Sequence, residues 1–348
     1  MTSRSRSRAP AWRRAVPGAV LLIALIAPAS PAHAETTTRL SGDTNVEVAV
    51  SYSQATFADG APSVVLLARD DDFADALTSG SAQAVLDAPL LLTDSTVPSP
   101  EVLAELDRLD PDEVRIMGGT AAVSATVETA LEGLGYTVTR YAGTDRVDTA
   151  VLVAEDLFPN ATAAIVTRAF ASSADPTQAF ADAIAAGAYS AGSMTPVLLT
   201  DIGDLPERTA DYIAGSALET AIITGGAAAV SASVEAELTD AGVATSRAAG
   251  PTRGGTATAL AAELGFASAA DAPRVLLVEG TGADAWAGGL TIGAQAGNGA
   301  AVVLSDMASL FAETEAFLGA GADVPLICGP RVSDSACDAA SDALGNEG

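Results

Sequence analysis

The residues able to do polar chemistry in this chain come in sets. Asp75 and Asp182 stand in two copies of one phrase, FADAL and FADAI, while Asp94 and Asp201 close two apolar runs, PLLLTD and PVLLTD. The glycine pairs Gly118-Gly119 and Gly225-Gly226 follow two further apolar runs. Arg39, Arg140 and Arg247 each precede a glycine by three residues, and Asp145 and Arg146, or Arg253 in a later copy, come just beyond it. Paired carboxylates can hydrolyse glycosidic bonds. Glycines that open a helix leave backbone amides for a phosphate or carboxylate, and guanidinium groups clamp such anions through two parallel hydrogen bonds.

Composition narrows that list. The chain contains no lysine and a single histidine, His33, so Schiff-base chemistry, histidine-based catalysis and histidine metal sites lack their side chains. His33 itself lies in a segment with the marks of a signal peptide. Arg4, Arg6, Arg8, Arg13 and Arg14 precede an apolar run over 19–27, and Ala32-His33-Ala34 offers small residues where a signal peptidase reads. Cleavage after Ala34 by ordinary secretion is expected. Beyond it no continuous apolar twenty-mer occurs, so no membrane span is expected in the mature chain. Twelve of the 17 basic residues remain after residue 34, against 44 acids, a formal charge of −32. Such a field argues against nucleic acid and anionic membrane surfaces as partners. Cys328 and Cys337, close together in an exported chain, read as a disulfide stapling the last repeat, with no cofactor implied.

These residues need elements to position them, and the elements repeat. The segments beginning TRLSGDTN at Thr38, TRYAGTDR at Thr139 and SRAAGPTR at Ser246 align on the three arginines. Each is followed by an apolar strand, an alanine-rich helix opened by Phe73, Phe180 or Trp286, a second strand ending at Asp94, Asp201 or Asp306, another helix, and a third strand that runs into glycine. Nineteen residues separate Asp75 from Asp94 and Asp182 from Asp201. Short Val/Ile/Leu runs alternating with longer helical stretches are the pattern of a parallel sheet covered on both faces. Three α/β units follow, over 35–137, 138–244 and 245–348, packed on one another because their junctions lack flexible spacers. Ser124, Ser231 and Ser333 are placed to cap the helices after the glycine turns, and Gly133 or Gly135 and Gly242 to end them.

Arg140-Tyr141-Ala142-Gly143-Thr144-Asp145-Arg146, the FADAL element, APLLLTD and the GG-x-x-A-V-S turn together resemble the bacterial cell wall-binding repeat 2 family across essentially the whole chain after the leader. The resemblance implies a Rossmann-like or toprim-like fold in each of three tandem repeats, set around a pseudo-threefold axis. It also implies noncovalent attachment to an anionic polymer of the Gram-positive cell wall. Arg39, Arg140, Asp145, Arg146, Arg247, Arg253, Asp75, Asp182, Asp94, Asp201, Gly118, Gly119, Gly225 and Gly226 are the ligand-binding candidates, at the carboxyl edge where open α/β sheets bind.

The copies are unequal. Unit one has Thr44-Asn45 where unit two has Asp145-Arg146, and unit three has Gly288 for the FADAL aspartate and Pro330 for the second glycine. Each candidate also has a structural alternative: tight-turn geometry for the glycines, helix capping or pairing with the repeated arginines for the acids, a solvated loop or calcium site for Asp70-Asp71-Asp72, and the core for Trp286. The expectation is a secreted, cell wall-associated, non-enzymatic binder of a secondary polymer or a peptidoglycan-associated glycan, with surface-protein partners open. A glycan hydrolase and an exported small-ligand-binding protein are the alternatives.

Overall fold

A computed structural model describes residues 37–171, 175–319 and 324–346. The proposed signal peptide lies outside the described residues. Residues 35–348 form one compact unit.

The strands are β1 (Thr37–Arg39), β2 (Val64–Arg69), β3 (Leu90–Thr93), β4 (Glu113–Met117), β5 (Thr137–Tyr141), β6 (Ala163–Arg168), β7 (Val197–Thr200), β8 (Thr220–Thr224), β9 (Ala244–Ala248), β10 (Val275–Glu279), β11 (Ala301–Ser305) and β12 (Leu326–Cys328). They form three wholly parallel four-stranded sheets of identical layout, β3-β2-β4-β5, β7-β6-β8-β9 and β11-β10-β12-β1.

The sheets run one strand out of phase with the sequence period. Thr137–Tyr141 and Ala244–Ala248, which read as the starts of units two and three, complete the sheets before them. Alignment finds a period but cannot say which side of a strand the sheet belongs to. The chain's first strand therefore has no sheet of its own, and it pairs with β12 as the fourth strand of the third sheet. Arg39 secures this closure through Asp334 and Asp338, at 3.2 and 2.5 Å. The Cys328–Cys337 disulfide ties β12 to the helix beneath it.

Thirteen helices of the described residues surround the sheets: α1 (Asn45–Thr56), α2 (Ser79–Leu86), α3 (Pro100–Leu109), α4 (Ala125–Gly133), α5 (Arg146–Leu157), α6 (Gln178–Ser193), α7 (Glu207–Gly215), α8 (Ala232–Asp240), α9 (Arg253–Glu263), α10 (Ala285–Leu290), α11 (Gly293–Gly297), α12 (Ala312–Leu318) and α13 (Asp334–Leu344). The hydroxyls of Ser124, Ser231 and Ser333 accept from the third backbone amide of α4, α8 and α13, as their positions predict. Gly135 and Gly242, just past α4 and α8, hold φ of 102° and 89°.

Alternation along each strand divides the core. Val65, Leu67, Leu91 and Ile116 face an outer core private to their sheet, as do Val166, Leu198 and Ile223 in the second sheet and Leu277, Val303 and Leu326 in the third. Leu66, Leu92, Ile165, Leu199, Leu276 and Leu304 face the opposite way, into one central core shared by all three repeats. There α2, α6 and α11 pack on one another, and Phe73, Phe180 and Trp286 meet, with the Phe73 ring 5.2 Å from Phe180 and 6.2 Å from Trp286. Trp286 is thus a core residue. Mutual packing of three equivalent helices and three equivalent rings is the pseudo-threefold arrangement.

Candidate functional site

The repeated polar residues converge at the seams between consecutive repeats, at the carboxyl ends of the strands. Each seam takes its FADAL-type element and glycine loop from one repeat and the start of a helix, α5, α9 or α1, from the next.

At the first seam, Asp75 Oδ1 accepts a 2.8 Å hydrogen bond from Thr149 Oγ1 of α5. Its other oxygen lies directly against the Cα of Gly118, where φ is 95° and a side chain would displace the carboxylate. Burial pushes the Asp75 carboxyl above its usual range, against the opposing pull of Thr149 and Arg146. Arg146 donates to the carbonyl of Ala169 at 2.9 Å. Its guanidinium lies 4.9 Å from the Phe170 ring and 5.4 Å from the Phe73 ring, within cation–π range of both. Burial lowers the Arg146 pKa, with Asp72, Asp75 and Asp145 opposing.

The second seam repeats the plan. Asp182 packs on Gly225, φ 78°, and Thr256 of α9 faces it, its hydroxyl helping to hold the Asp182 pKa down. Burial raises its pKa, while Arg168, 3.4 Å away, Arg253 and Thr256 hold it down. Arg253 donates to the Gly280 carbonyl at 2.5 Å and to Thr177 Oγ1 at 3.1 Å, with Asp175 3.7 Å away. At the third seam Asn45 takes the place of Arg146 and donates to the Asp70 carbonyl at 2.8 Å, while Arg331 of the third repeat donates to Asn45 Oδ1 at 2.6 Å.

The remaining candidates have internal work. Arg140 Nη1 bonds the carbonyls of Gly118 and Val123, both at 2.9 Å, and Nη2 reaches Glu128 at 2.8 Å. Arg247 does the same with Gly225, Val230 and Glu235. These arginines thereby fasten the glycine loop to the helix after it, since a guanidinium fork can serve two carbonyls and a carboxylate at once. Asp145 caps α5 through the amides of Val147 and Asp148. Asp94 folds its own turn by accepting from Thr96 and Val97, and these bonds lower its pKa. Gly119 and Gly226 face open space, with only the Gly143 carbonyl near the former. Asp71 pairs with Arg69 and Asp72 accepts from the Ala74 amide. Among the described residues no group of three or more carboxylate, thiol or imidazole side chains is arranged to hold a metal.

Beside each seam runs a surface cleft between the seam helix and α3, α7 or α12. The one in the second repeat encloses about 550 Å³ and is lined by Asp145, Asp148, Phe170, Asp201 and Arg208. Burial, then Asp204 and Asp145, raise the Asp201 pKa. Arg208 is already committed to Asp148 and Glu155, at 2.8 and 2.9 Å. Sequence reasoning passed over Arg168, Phe170 and Thr256 as site residues. Thr149 and Thr256 were findable from their matched positions, six residues past Gly143 and Gly250. Arg168 was findable as well, since it closes β6 as Arg69 closes β2, each in register with the threonine before the repeated aspartate, whereas Phe170 matches Asp71 and left no such signal.

The match to known families follows this geometry. The model of the family described as cell wall binding domain 2 (CWB2) matches residues 39–128 and 140–235, more than half of the chain. The N-acetylmuramoyl-L-alanine amidase LytC of Bacillus subtilis is 28% identical over 196 residues, 56% of this chain and 37% of the amidase. Among solved structures, Cwp8 from Clostridium difficile aligns with a TM-score of 0.77 at 24% identity, over 90% of this chain and 52% of its own. Cwp6 from the same organism gives 0.77 at 22%, over 89% and 48%. The chain therefore spans little over a third of the amidase and about half of either Cwp protein, and the Cwp likeness establishes the shared fold.

Proposed function

Because the chain belongs to the cell wall binding domain 2 family, whose members are cell wall-binding modules, we propose that it is a secreted, non-catalytic protein that attaches noncovalently to an anionic polymer of the Gram-positive cell wall. The observation that carries this reading is the family match across the first two repeats, the same two that contribute aspartates to the seams. The seams are the ligand sites we favour, because residues of two repeats meet there beside open glycine loops. A polymer that repeats along its length suits a chain that presents equivalent sites around one axis, since linked weak contacts add through effective concentration.

The seam chemistry supports binding over bond breaking. The best-placed carboxylates, half-buried Asp75 and buried Asp182, stand in different seams and not as a pair flanking one bond, the arrangement glycoside hydrolysis requires. The test is co-sedimentation of the chain from Glu35 onward with purified Gram-positive walls, before and after chemical stripping of their secondary polymers. Binding lost on stripping is expected. Binding retained on bare peptidoglycan reassigns the ligand to the glycan, and no binding to either defeats the proposal.

A further inference from the structure

The three seams are built alike in backbone, yet the third has exchanged three side chains together. Where the first pairs Asp75 with Thr149 and the second Asp182 with Thr256, the matching residues at the third are Gly288 and Val48. The position ten residues past the repeat's first glycine is Val153 or Leu260 in the other helices, both in the central core, and here it is Tyr52. Tyr52 reaches across the seam, and its hydroxyl lies directly against the Cα of Gly329, the counterpart of Gly118 and Gly225. It thus stands where the aspartate oxygen stands in the other two seams. A Cβ on Gly288 would make only ordinary contact with Tyr52, at 3.9 Å from Cε2 and from the hydroxyl, but an aspartate whose oxygen lay against the glycine as in the other seams would need the space the Tyr52 hydroxyl holds.

The exchange removes both polar partners and fills their volume with a ring. Tyr52 is 2% exposed and its hydroxyl has no hydrogen-bond partner among the described residues. Burial drives its pKa far upward, so it stays neutral. Two further changes mark the same seam. Pro330 replaces the second glycine and deletes that loop's backbone donor, and Asn45 replaces the helix arginine, the guanidinium there coming instead from Arg331, which is tied to Asn45 Oδ1.

We propose that the chain carries two ligand sites, at the first and second seams, and that Tyr52 plugs the third, which serves as the closure of the ring. This rests on the seams being where the wall polymer binds. Two adjacent sites and one sealed joint make the surface one-sided: a polymer strand is held along the arc from the first repeat to the third and released where β1 pairs with β12.

The experiment uses the protein from Glu35 onward with short polymer fragments released from purified Gram-positive walls, read by native mass spectrometry for stoichiometry and by amide hydrogen exchange for location. Two fragments per chain are expected at saturation, with exchange slowed at residues 118–122 and 144–149 and at 225–229 and 251–256, and unchanged at 329–332 and 44–52. Thr149→Val and Thr256→Val, which keep side-chain shape, should each reduce the stoichiometry to one, whereas Tyr52→Phe should leave it at two. Three bound fragments, slowed exchange at the third seam, or a stoichiometry altered by Tyr52→Phe overturns the two-site assignment while leaving wall binding intact. Protection at 206–211 and 313–317, on the far walls of the clefts, without protection of the glycine loops at 118–122 and 225–229 overturns it as well. Absence of any fragment binding overturns the polymer reading itself and this inference with it.

Discussion

At the scale of single residues, the aspartates of the FADAL elements are the most consequential choice in the chain. A carboxylate at least half-buried between a glycine and a threonine of the next repeat helps bind one repeat to another and is costly to leave charged. Asp75 has its pKa raised by burial. A raised native pKa means that its contribution to stability is complete below the ordinary carboxylate range and is lost as pH climbs through the raised value. Against Asp75→Asn, which keeps the shape without the charge, the wild-type protein should therefore lose melting temperature as pH rises above the ordinary aspartate pKa of about 4. Parallel melting curves of the two proteins across that range check it, and a constant difference would show the carboxyl to be unperturbed. The repeated arginines illustrate the opposite lesson. Arg140 and Arg247 resemble ligand clamps on the page, yet each serves two carbonyls and a glutamate of its own sheet.

At the scale of elements, the three central helices meet at glycines that occupy the same place in each repeat, Gly80, Gly187 and Gly293, five residues past Asp75, Asp182 and Gly288. They are not interchangeable. A Cβ on Gly80 would run into the backbone of Gly187, whereas a Cβ on Gly187 would meet nothing closer than 3.8 Å. Gly80→Ala should thus cost about 1–3 kcal/mol by forcing α2 and α6 apart. Gly187→Ala should be neutral or stabilise the 16-residue α6 by up to about 1 kcal/mol through helix propensity. Urea unfolding of both variants decides it: equal losses would mean that the helices approach symmetrically. The reason for close packing at the axis lies in the strands above, whose inward leucines and isoleucines already fill the central core.

At the scale of the whole molecule, charge and ring closure matter most. A chain of formal charge −32 after residue 34 repels an anionic polymer at long range. Screening shortens that repulsion from about 30 Å at 0.01 M salt to about 10 Å at 0.1 M. Sedimentation with walls should accordingly become stronger over this range of sodium chloride, the reverse of a basic polymer binder. A steady weakening with salt would instead place attractive charge pairs at the centre of recognition. The ring itself is closed by β1, three residues long, held by strand pairing and by Arg39, with the disulfide bracing the helix that Arg39 grips.

The sequence by itself determined the period, the parallel α/β class, the helix caps at Ser124, Ser231 and Ser333, the disulfide, and the family, because each of these is local: a strand, a cap or a motif is written in adjacent residues. Only the tertiary structure decided which sheet owns Thr137–Tyr141, that Thr149 answers Asp75 from 74 residues away, and that Tyr52 stands in for an aspartate missing from the far end of the chain. Those are facts about which repeat lies beside which. Three copies of one phrase cannot state them, since identical units specify equal neighbours and leave the closing of the ring, and the seam that differs, to packing in three dimensions.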